Sequence, residues 1–239
     1  MSESSTAFDR AVRTPTWTDR LSYRIVRDLL VAFGRVYFRA TYEGLEHVPA
    51  GGPFVLAANH RSNVDFFLCA GVARRRIRYM GKEELWKSRL LGGFISALGA
   101  FPVHRGKADR EAMRRCIKML QQGEPLVLFP EGTRRHGPKI EDLHDGTAYI
   151  AMKTGVPIIP VAVGGTERAM AKGQILPRPV KVHILIGPPI LPPPLPEDGR
   201  RPSRRALKEL TDLLRAEMQR LFDEAQKKAG VDPSPGSAV

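Results

Sequence analysis

The chain has 239 residues, 42% of them hydrophobic, which is enough for one domain with a sizeable core. Its 38 Lys and Arg outnumber its 25 Asp and Glu, so the net charge is +13. This balance indicates an anionic partner: nucleic acid, an anionic membrane surface or a phosphorylated substrate. Because no RNP-like aromatic strand, zinc finger or basic zipper is present, we expect no nucleic-acid partner.

Other common sequence features are missing. No run of 18 apolar residues occurs, so we expect no transmembrane helix, and residues 1–16 lack the apolar segment of a signal peptide. Cys69 and Cys116 lie in apolar or helical patterns and are interpreted as small buried hydrophobes in a reducing compartment. Without a CxxC or HExxH motif, we predict no metal site.

The N-terminal part of the chain is predicted to be disordered over residues 1–16 and helical over residues 17–40. The apolar positions follow helical spacing: Leu21, Ile25, Leu29, Leu30, Phe33 and Val36. Basic residues lie among them: Arg20, Arg24, Arg27, Arg35 and Arg39. Such a basic amphipathic helix suits a membrane surface, but a helix packed on the protein's own core with solvated arginines has the same pattern.

Strands and helices are predicted to alternate over residues 41–190. The apolar run from Phe54 to Ala58 predicts a buried strand, followed by a polar loop and a helix from Val64 to Ala73 in which Ser62 or Asn63 is the N-cap. Residues 90–101 are nearly all apolar. We predict a buried helix there, the alternatives being membrane dipping or the lining of a pocket for an apolar chain.

The second half of the chain continues the alternation. Helices are predicted over residues 109–122 and 147–154, and strands over residues 126–129 and 156–163 and, half-exposed, over 180–186. A Pro-rich connector (191–202), a basic C-terminal helix (203–228) and a disordered tail (229–239) complete the chain. We therefore predict a single α/β domain with a mixed, largely parallel sheet flanked by helices.

Three polar loops directly follow predicted apolar strands. They run from His60 to Asp65, from His104 to Gly106 and from Glu131 to Arg135. In parallel sheets the loops after the strand ends meet at one edge, so we expect these three to form one site.

His60 and Asp65 form a candidate base and its orienting carboxylate. They are separated by four residues across a strand-to-helix turn, so His60 can lean back towards Asp65. A carboxylate that accepts a hydrogen bond from one imidazole nitrogen leaves the other nitrogen able to take a proton. Taken alone, such a pair is more often structural than catalytic.

Four sequence blocks, in order, resemble the lysophosphatidic acid acyltransferase (PlsC-like) family of glycerolipid acyltransferases. The blocks are Asn59-His60-Arg61-Ser62-Asn63-Val64-Asp65, Gly99-Ala100-Phe101-Pro102-Val103-His104-Arg105-Gly106, Phe129-Pro130-Glu131-Gly132-Thr133-Arg134 and Val156-Pro157-Ile158-Ile159-Pro160-Val161. The first matches the NHxSxxD pattern of the family and the third its FPEGTR pattern. One such block is weak evidence, whereas four at sensible spacing are strong.

The resemblance implies the glycerolipid acyltransferase fold and transfer of an acyl group from a CoA or acyl carrier protein thioester to a glycerol hydroxyl. His60, held by Asp65, is then the general base for direct attack. We expect no acyl-enzyme, because no GxSxG motif is present and neither cysteine has an obvious base partner in the sequence. The acyl donor is a cosubstrate, and no further cofactor is expected.

The resemblance also implies cations for a phosphate on the acceptor. Arg134 and Arg105 are our candidates, with Lys82 as a weaker third, because guanidinium groups match phosphate oxygens. The alternative for each of them is solvated surface charge.

The remaining residues of the third block are also assigned to substrate binding. Glu131 is expected either to bind an acceptor hydroxyl or to pair with an arginine in a structural salt bridge. Gly132 is expected to allow a tight turn close to the ligand, and Thr133 belongs to the same segment.

The chain departs from the family pattern near the expected acceptor. Arg135 stands where relatives often have Ser, and His144-Asp145 stand where they often have a basic residue. His104 is also uncommon before Arg105.

We therefore predict a peripheral or monotopic enzyme on the cytoplasmic face of the membrane that makes phosphatidic acid from the lysophospholipid 1-acylglycerol-3-phosphate. The alternatives are another acceptor (glycerol-3-phosphate, or another lysolipid or glycolipid), a non-catalytic basic membrane-binding protein, and a hydrolase in which His60 and Asp65 activate water.

Overall fold

The computed structural model describes residues 16–103, 110–170, 176–195 and 201–231. The strands are β1 (Thr41–Glu43), β2 (Val55–Ala58), β3 (Arg78–Lys82), β4 (Ala100–Val103), β5 (Leu126–Leu128), β6 (Ile158–Gly164) and β7 (His183–Ile186). The helices are α1 (Trp17–Tyr37), α2 (Asp65–Cys69), α3 (Arg89–Ala97), α4 (Arg110–Gln121), α5 (Gly146–Thr154), α6 (Thr166–Ala169) and α7 (Arg204–Lys228). Short 3-10 turns span Leu45–His47 and Glu83–Trp86.

The seven strands form one sheet in the order β1-β7-β6-β2-β5-β3-β4. The five strands from β6 to β4 are parallel, β7 is antiparallel to β6, and β1 is parallel to β7. The carboxyl ends of the five parallel strands therefore lie at one edge of the sheet. The prediction of a single α/β domain with a mixed, largely parallel sheet is confirmed.

Helices cover both faces of the sheet, which explains why the central strands are apolar at every position. Leu56 and Ala58 of β2 face a cluster that includes Phe38 and α2, whereas Val55 and Ala57 face the layer of α4, α5 and α7. Cys69 and Cys116 are both buried, one in each layer. The catalytic candidates are thus carried by strands that are fixed from both sides.

Helix α1 begins with a capping box in which Thr16 and Asp19 exchange hydrogen bonds. One face packs on the protein through Tyr23 and Gly34, which are buried. The opposite face exposes an apolar stripe of six residues: Trp17, Leu21, Ile25, Leu29, Phe33 and Val36. Helix α1 therefore packs on the core with one face, as one of the two alternatives predicted, and leaves an apolar face uncovered; membrane association stays a prediction.

The predicted buried helix over residues 90–101 is wrong. Helix α3 ends at Ala97, and it lies on the surface with Leu90 87% exposed and Phe94 51% exposed. Apolar composition alone does not tell whether protein or another apolar phase covers a helix. Within the described residues, no helix is both long and apolar enough to cross a bilayer.

Two smaller expectations also differ from the structure. Helix α2 starts at Asp65 and ends at Cys69, and neither Ser62 nor Asn63 caps it, because the N-cap is Val64 without a side-chain cap. Strand β7 is buried at every position and not half-exposed, because it lies between β1 and β6 and packs against α7. Helix α7 follows Ser203, whose side chain accepts a hydrogen bond from the N–H of Ala206.

Candidate active site

His60 lies at the carboxyl edge of the sheet, directly beyond strand β2. The side chain of the preceding Asn59 is tied to β6, because it donates to the carbonyl of Val163 at 3.2 Å and accepts from the Val163 N–H at 2.7 Å. This pair fixes the path of the chain as it leaves the sheet. The imidazole of His60 is consequently placed where β2 and β6 end side by side.

The carboxylate of Asp65 orients His60. Its Oδ2 lies 2.9 Å from Nδ1 of His60 and accepts the N–H groups of Arg61 and Ser62, both at 2.7 Å. Asp65 is fully buried, and two main-chain donors stabilise its negative charge there. Because the carboxylate accepts from Nδ1–H, neutral His60 has Nε2 available to take a proton.

Two aromatic rings hold the plane of the His60 imidazole. The ring of Phe129 lies 4.3 Å away at an angle of 30°, and the ring of Phe66 lies 5.2 Å away, edge-on. These contacts leave the imidazole little rotational freedom, and they make its surroundings apolar. A base confined in this way loses little conformational entropy when it reaches its reactive orientation.

The loop after β5 holds the main chain of His60 from both sides. Glu131 Oε2 accepts the N–H of His60 at 3.0 Å, and the N–H of Arg135 donates to the carbonyl of His60 at 2.9 Å. Strands β2 and β5 are neighbours, which brings the two loops together. The structure thus joins two of the three polar loops that the sequence predicted to form one site.

Glu131 pairs with Arg61 beneath this site. Nη1 of Arg61 lies 2.8 and 2.9 Å from the two carboxylate oxygens, Nη2 donates to the carbonyl of Lys139 at 2.7 Å, and the guanidinium lies 4.9 Å from the ring centre of Phe222 in α7. Both charged side chains are buried. Glu131 is therefore in the arginine salt bridge that the sequence left open as an alternative, and it does not line the cavity described below.

Arg61 is the residue that sequence reasoning missed. It lies directly after the candidate base, yet the apolar pattern gives no sign that an arginine is buried there. The available signal was positional, since Arg61 comes three residues and Glu131 two residues after the end of a predicted strand. Their pairing follows only once β2 and β5 are known to be neighbours.

Gly132 forms the expected tight turn. Its φ of +70° is in the left-handed region, and a Cβ added there would lie 2.8 Å from the ring of His144. The group packed against Gly132 is therefore the ring of His144. Beyond the turn, Thr133 and Arg134 reach the cavity that His60 lines.

A cavity of about 470 Å³ extends from His60 along strand β3. His60, Asn63, Thr133 and Arg134 line it at the carboxyl edge of the sheet. Its remaining wall is mainly apolar and includes Leu30, Phe66, Phe67, Leu85, Ile95 and Leu98. The volume lies within the range of ordinary small-molecule sites, and the mainly apolar wall suits an apolar chain.

Arg134 is half-buried at this cavity, and it makes no hydrogen bond or ion pair with the residues that the structure describes. Lys82 ends strand β3 beside the cavity-lining Gly81, but its side chain is outside the described set. Arg105 and His104, and with them the third predicted loop, also lie outside the described residues. Among the residues that are described, no three His, Cys, Asp or Glu side chains converge as a metal site would require.

Comparison with known proteins places the chain in a family. Residues 39–164 match the family model described as Acyltransferase. A Bacillus subtilis protein named 1-acyl-sn-glycerol-3-phosphate acyltransferase is 31% identical over 179 residues, which cover 74% of this chain and 84% of that protein. The Streptococcus pneumoniae protein of the same name is 28% identical over 213 residues, covering 87% of this chain and 76% of that protein.

A solved structure is similar as well. The crystal structure of the 1-acyl-sn-glycerophosphate acyltransferase PlsC from Thermotoga maritima superposes with a TM-score of 0.67 at 27% identity, covering 91% of this chain and 87% of that chain. The family match spans more than half of the chain, and it includes His60, Asp65 and the loop that holds them. The chain therefore belongs to the acyltransferase family and is an acyltransferase.

Proposed function

We propose that the enzyme transfers a fatty acyl group from acyl-CoA or acyl carrier protein to the free hydroxyl of 1-acylglycerol-3-phosphate, giving phosphatidic acid. The observation that carries this proposal is the position of His60, oriented by Asp65, at the end of a largely apolar cavity with Arg134 beside it. The names of the relatives supply the acceptor. No cofactor is needed beyond the acyl donor, which is a cosubstrate.

In the proposed reaction, Nε2 of His60 takes the proton of the acceptor hydroxyl while its oxygen attacks the thioester carbon. The tetrahedral intermediate then expels the thiol, which leaves with the proton returned by Nε2. Asp65 stabilises the imidazolium that forms between these steps. Main-chain N–H groups of the Gly132 turn are our candidates for stabilising the oxyanion.

Direct transfer without an acyl-enzyme is favoured by the position of the thiols. Cys69 and Cys116 are both buried away from the cavity wall, and burial raises the pKa of the Cys69 thiol. A protonated, enclosed thiol is a poor nucleophile. Acceptor and donor are therefore proposed to be bound at the same time.

For the acceptor phosphate we propose Arg134 as the main cation, with Arg105 and Lys82 as further candidates. Arg134 lines the same cavity as the base and is not engaged with any described acidic side chain. The acceptor carries its phosphate on the carbon adjacent to the one with the attacking hydroxyl, so we propose that a cation lining the same cavity as His60 contacts it. Binding there would orient the hydroxyl towards Nε2.

The acyl chain is proposed to enter from an anionic membrane surface. The exposed stripe of α1 and the exposed Leu90, Leu91 and Phe94 of α3 belong to the two helices that also line the cavity, through Leu30 and Ile95. Exposed arginines (Arg20, Arg24 and Arg35) flank the α1 stripe and suit lipid phosphates. We propose peripheral or monotopic attachment at the cytoplasmic face.

The second candidate function is acyl transfer to a different acceptor. Two departures from the family pattern near the site support it. Arg135 is hydrogen-bonded through its N–H to His60, and the ring of His144 is packed against Gly132. Both residues thus adjoin the proposed acceptor position. Glycerol-3-phosphate, another lysolipid and a glycolipid are the acceptors to compare.

The test is a transfer assay with detergent-purified enzyme, radiolabelled palmitoyl-CoA or palmitoyl carrier protein, and each acceptor in turn. Phosphatidic acid as the main product supports the proposal. Faster transfer to another acceptor supports the second candidate. Release of free fatty acid at the same rate with and without acceptor indicates a hydrolase, and no product with any pair contradicts acyl transfer altogether.

A further inference from the structure

Asn63 carries a carboxamide that the fold does not use, at the cavity that holds the candidate base. It comes three residues after His60, it lines the same cavity, and its side chain is exposed. Its carboxamide makes no hydrogen bond with the residues that the structure describes. The other asparagine of the chain, Asn59, has both ends of its carboxamide bonded to the main chain of Val163. Asn63 is therefore free to bind a ligand.

The position of Asn63 continues the face that α2 presents to the cavity. Four residues at helical spacing line the cavity: Asn63, Phe66, Phe67 and Ala70. The intervening residues do not line it and are buried: Val64, Asp65, Leu68 and Cys69. Three of the four lining residues are apolar, which suits an acyl chain. The carboxamide of Asn63 thus marks the place on this face where a polar part of the ligand begins.

Asn63 lies at the mouth of the cavity. A residue that lines a cavity and is itself exposed lies where the cavity opens to solvent. Among the described lining residues, those that are exposed are Asn63, Leu85 and Thr133, whereas His60 is enclosed, with only 6% of its surface exposed. Leu85 is apolar, so Asn63 and Thr133 form the polar part of the mouth.

The acyl donor has to cross this mouth if its thioester carbon is at His60. The nucleotide of CoA and a carrier protein are both too large for a cavity of about 470 Å³. The pantetheine arm that the two donors share therefore runs from the enclosed thioester to the solvent. Its first amide begins two carbons beyond the sulfur, so this amide is the first polar group of the arm to pass the mouth.

The hydrogen-bonding groups at the mouth favour Asn63 as the partner of an amide N–H. Arg134 carries only donors. The carboxylates of Asp65 and Glu131 are buried and already accept hydrogen bonds from the loops and from Arg61. The carboxamide oxygen of Asn63 is an acceptor without a described partner, and it is accessible from the cavity.

We propose that Asn63 is a specificity residue for the acyl donor, whose carboxamide oxygen accepts the N–H of the first amide of the pantetheine arm. This inference rests on the proposed function, because it takes the thioester to be at His60. Since CoA and carrier protein share the arm, the contact serves either donor. The enzyme accordingly prefers thioesters that carry this amide over thioesters that lack it.

The test compares two small donors: S-palmitoyl-N-acetylcysteamine, and its analogue in which an oxygen replaces the amide NH. Transfer to 1-acylglycerol-3-phosphate is measured as the ratio of kcat/KM for the amide donor to that for the ester donor. We expect a ratio of about ten in the wild type and about one in Asn63→Leu, since the ester leaves the carboxamide oxygen without its donor. A partial loss of folded enzyme cancels in this ratio, because both donors are measured on the same variant.

Two further variants make the comparison specific. Asn63→Asp keeps an acceptor oxygen and should keep the preference for the amide donor. Gln122→Leu is the matched control, because it removes an exposed carboxamide that directly follows α4 and does not line the cavity. It should keep the wild-type ratio. A ratio near one in the wild type, an unchanged ratio in Asn63→Leu, or loss of the preference in Asn63→Asp would each overturn the proposal.

A binding measurement separates this inference from the proposed function. Thioether analogues of the two donors, with a methylene in place of the thioester carbonyl, can displace a fluorescent fatty acid without any transfer. If no transfer to 1-acylglycerol-3-phosphate occurs but the wild type binds the amide thioether more tightly than the ester thioether, and Asn63→Leu does not, the contact stands without the acceptor assignment. If transfer occurs and neither measurement responds to Asn63, only the contact fails.

Discussion

The N–H of His60 donates to Oε2 of Glu131 at 3.0 Å, although the two residues are 71 positions apart in the chain. Glu131 also holds Arg61, the residue that follows the base. One buried carboxylate thereby sets the position of the main chain that carries the candidate base. It does so without reaching the cavity itself.

Glu131→Ala should strongly destabilise the protein, because it leaves the buried guanidinium of Arg61 without its counter-charge. We expect a loss of about 3–5 kcal/mol, which lowers the melting temperature by roughly 10 °C in a chain of this size. Glu209→Ala breaks an exposed ion pair with Arg205 and should change the melting temperature very little. Replacing Arg61 and Glu131 together by Met and Leu should recover part of the loss, and an additive loss would contradict the pairing.

His60→Ala should lower kcat by about 10²–10⁴-fold, the usual contribution of a positioned acid–base group. Its circular dichroism spectrum should match that of the wild type. His136→Ala is the control, since this exposed histidine pairs with Glu167 and does not line the cavity. Turnover within a fewfold of the wild type in His60→Ala would remove the assignment of His60 as the base.

Arg134→Ala should raise KM for 1-acylglycerol-3-phosphate by about ten- to hundredfold, the value of one charge-assisted hydrogen bond. Arg134→Lys should recover only part of this, because an ammonium cannot match two phosphate oxygens. Arg205→Ala, on the far side of the sheet, is the control. An equal loss with a monoacylglycerol acceptor, which has no phosphate, would count against the phosphate role.

The variant Leu21→Ser with Leu29→Ser should bind phosphatidylglycerol vesicles about tenfold or more weakly than the wild type in a sedimentation assay. Both side chains belong to the exposed stripe of α1, so the loss reflects apolar area and not the fold. Leu213→Ser is the control, because this exposed leucine is on α7, across the sheet. Equal binding by all three proteins would rule out α1 as the docking face.

Much of the fold follows from local sequence pattern. The buried runs that became β2, β5 and β6 are apolar at every position, and each ends in a polar or glycine-rich segment. That pattern was enough to predict the α/β class and to place the loops of His60 and Glu131 at one edge. The likeness of four blocks to a known family pointed to the acyltransferase chemistry.

The remaining features depend on contacts between distant parts of the chain. Arg61 has its partner in Glu131 only because β2 and β5 are adjacent, and sheet order is not contained in periodicity. The exposure of Leu90 in α3 was missed for a related reason. The identity of an apolar residue does not show whether protein or lipid covers it. Tyr79 is a similar case, because a tyrosine in a strand is common, and only the tertiary structure shows that its buried hydroxyl has no hydrogen-bond partner among the described residues.

The burial of both cysteines has a practical consequence. Cys69 and Cys116 are inaccessible in the folded chain, and the raised pKa of Cys69 makes that thiol less reactive still. An introduced surface cysteine, such as Ser22→Cys on the outer side of α1, would then be the preferred site for a maleimide dye. A fluorescence probe of lipid contact could thus be attached to the native sequence without first removing either cysteine.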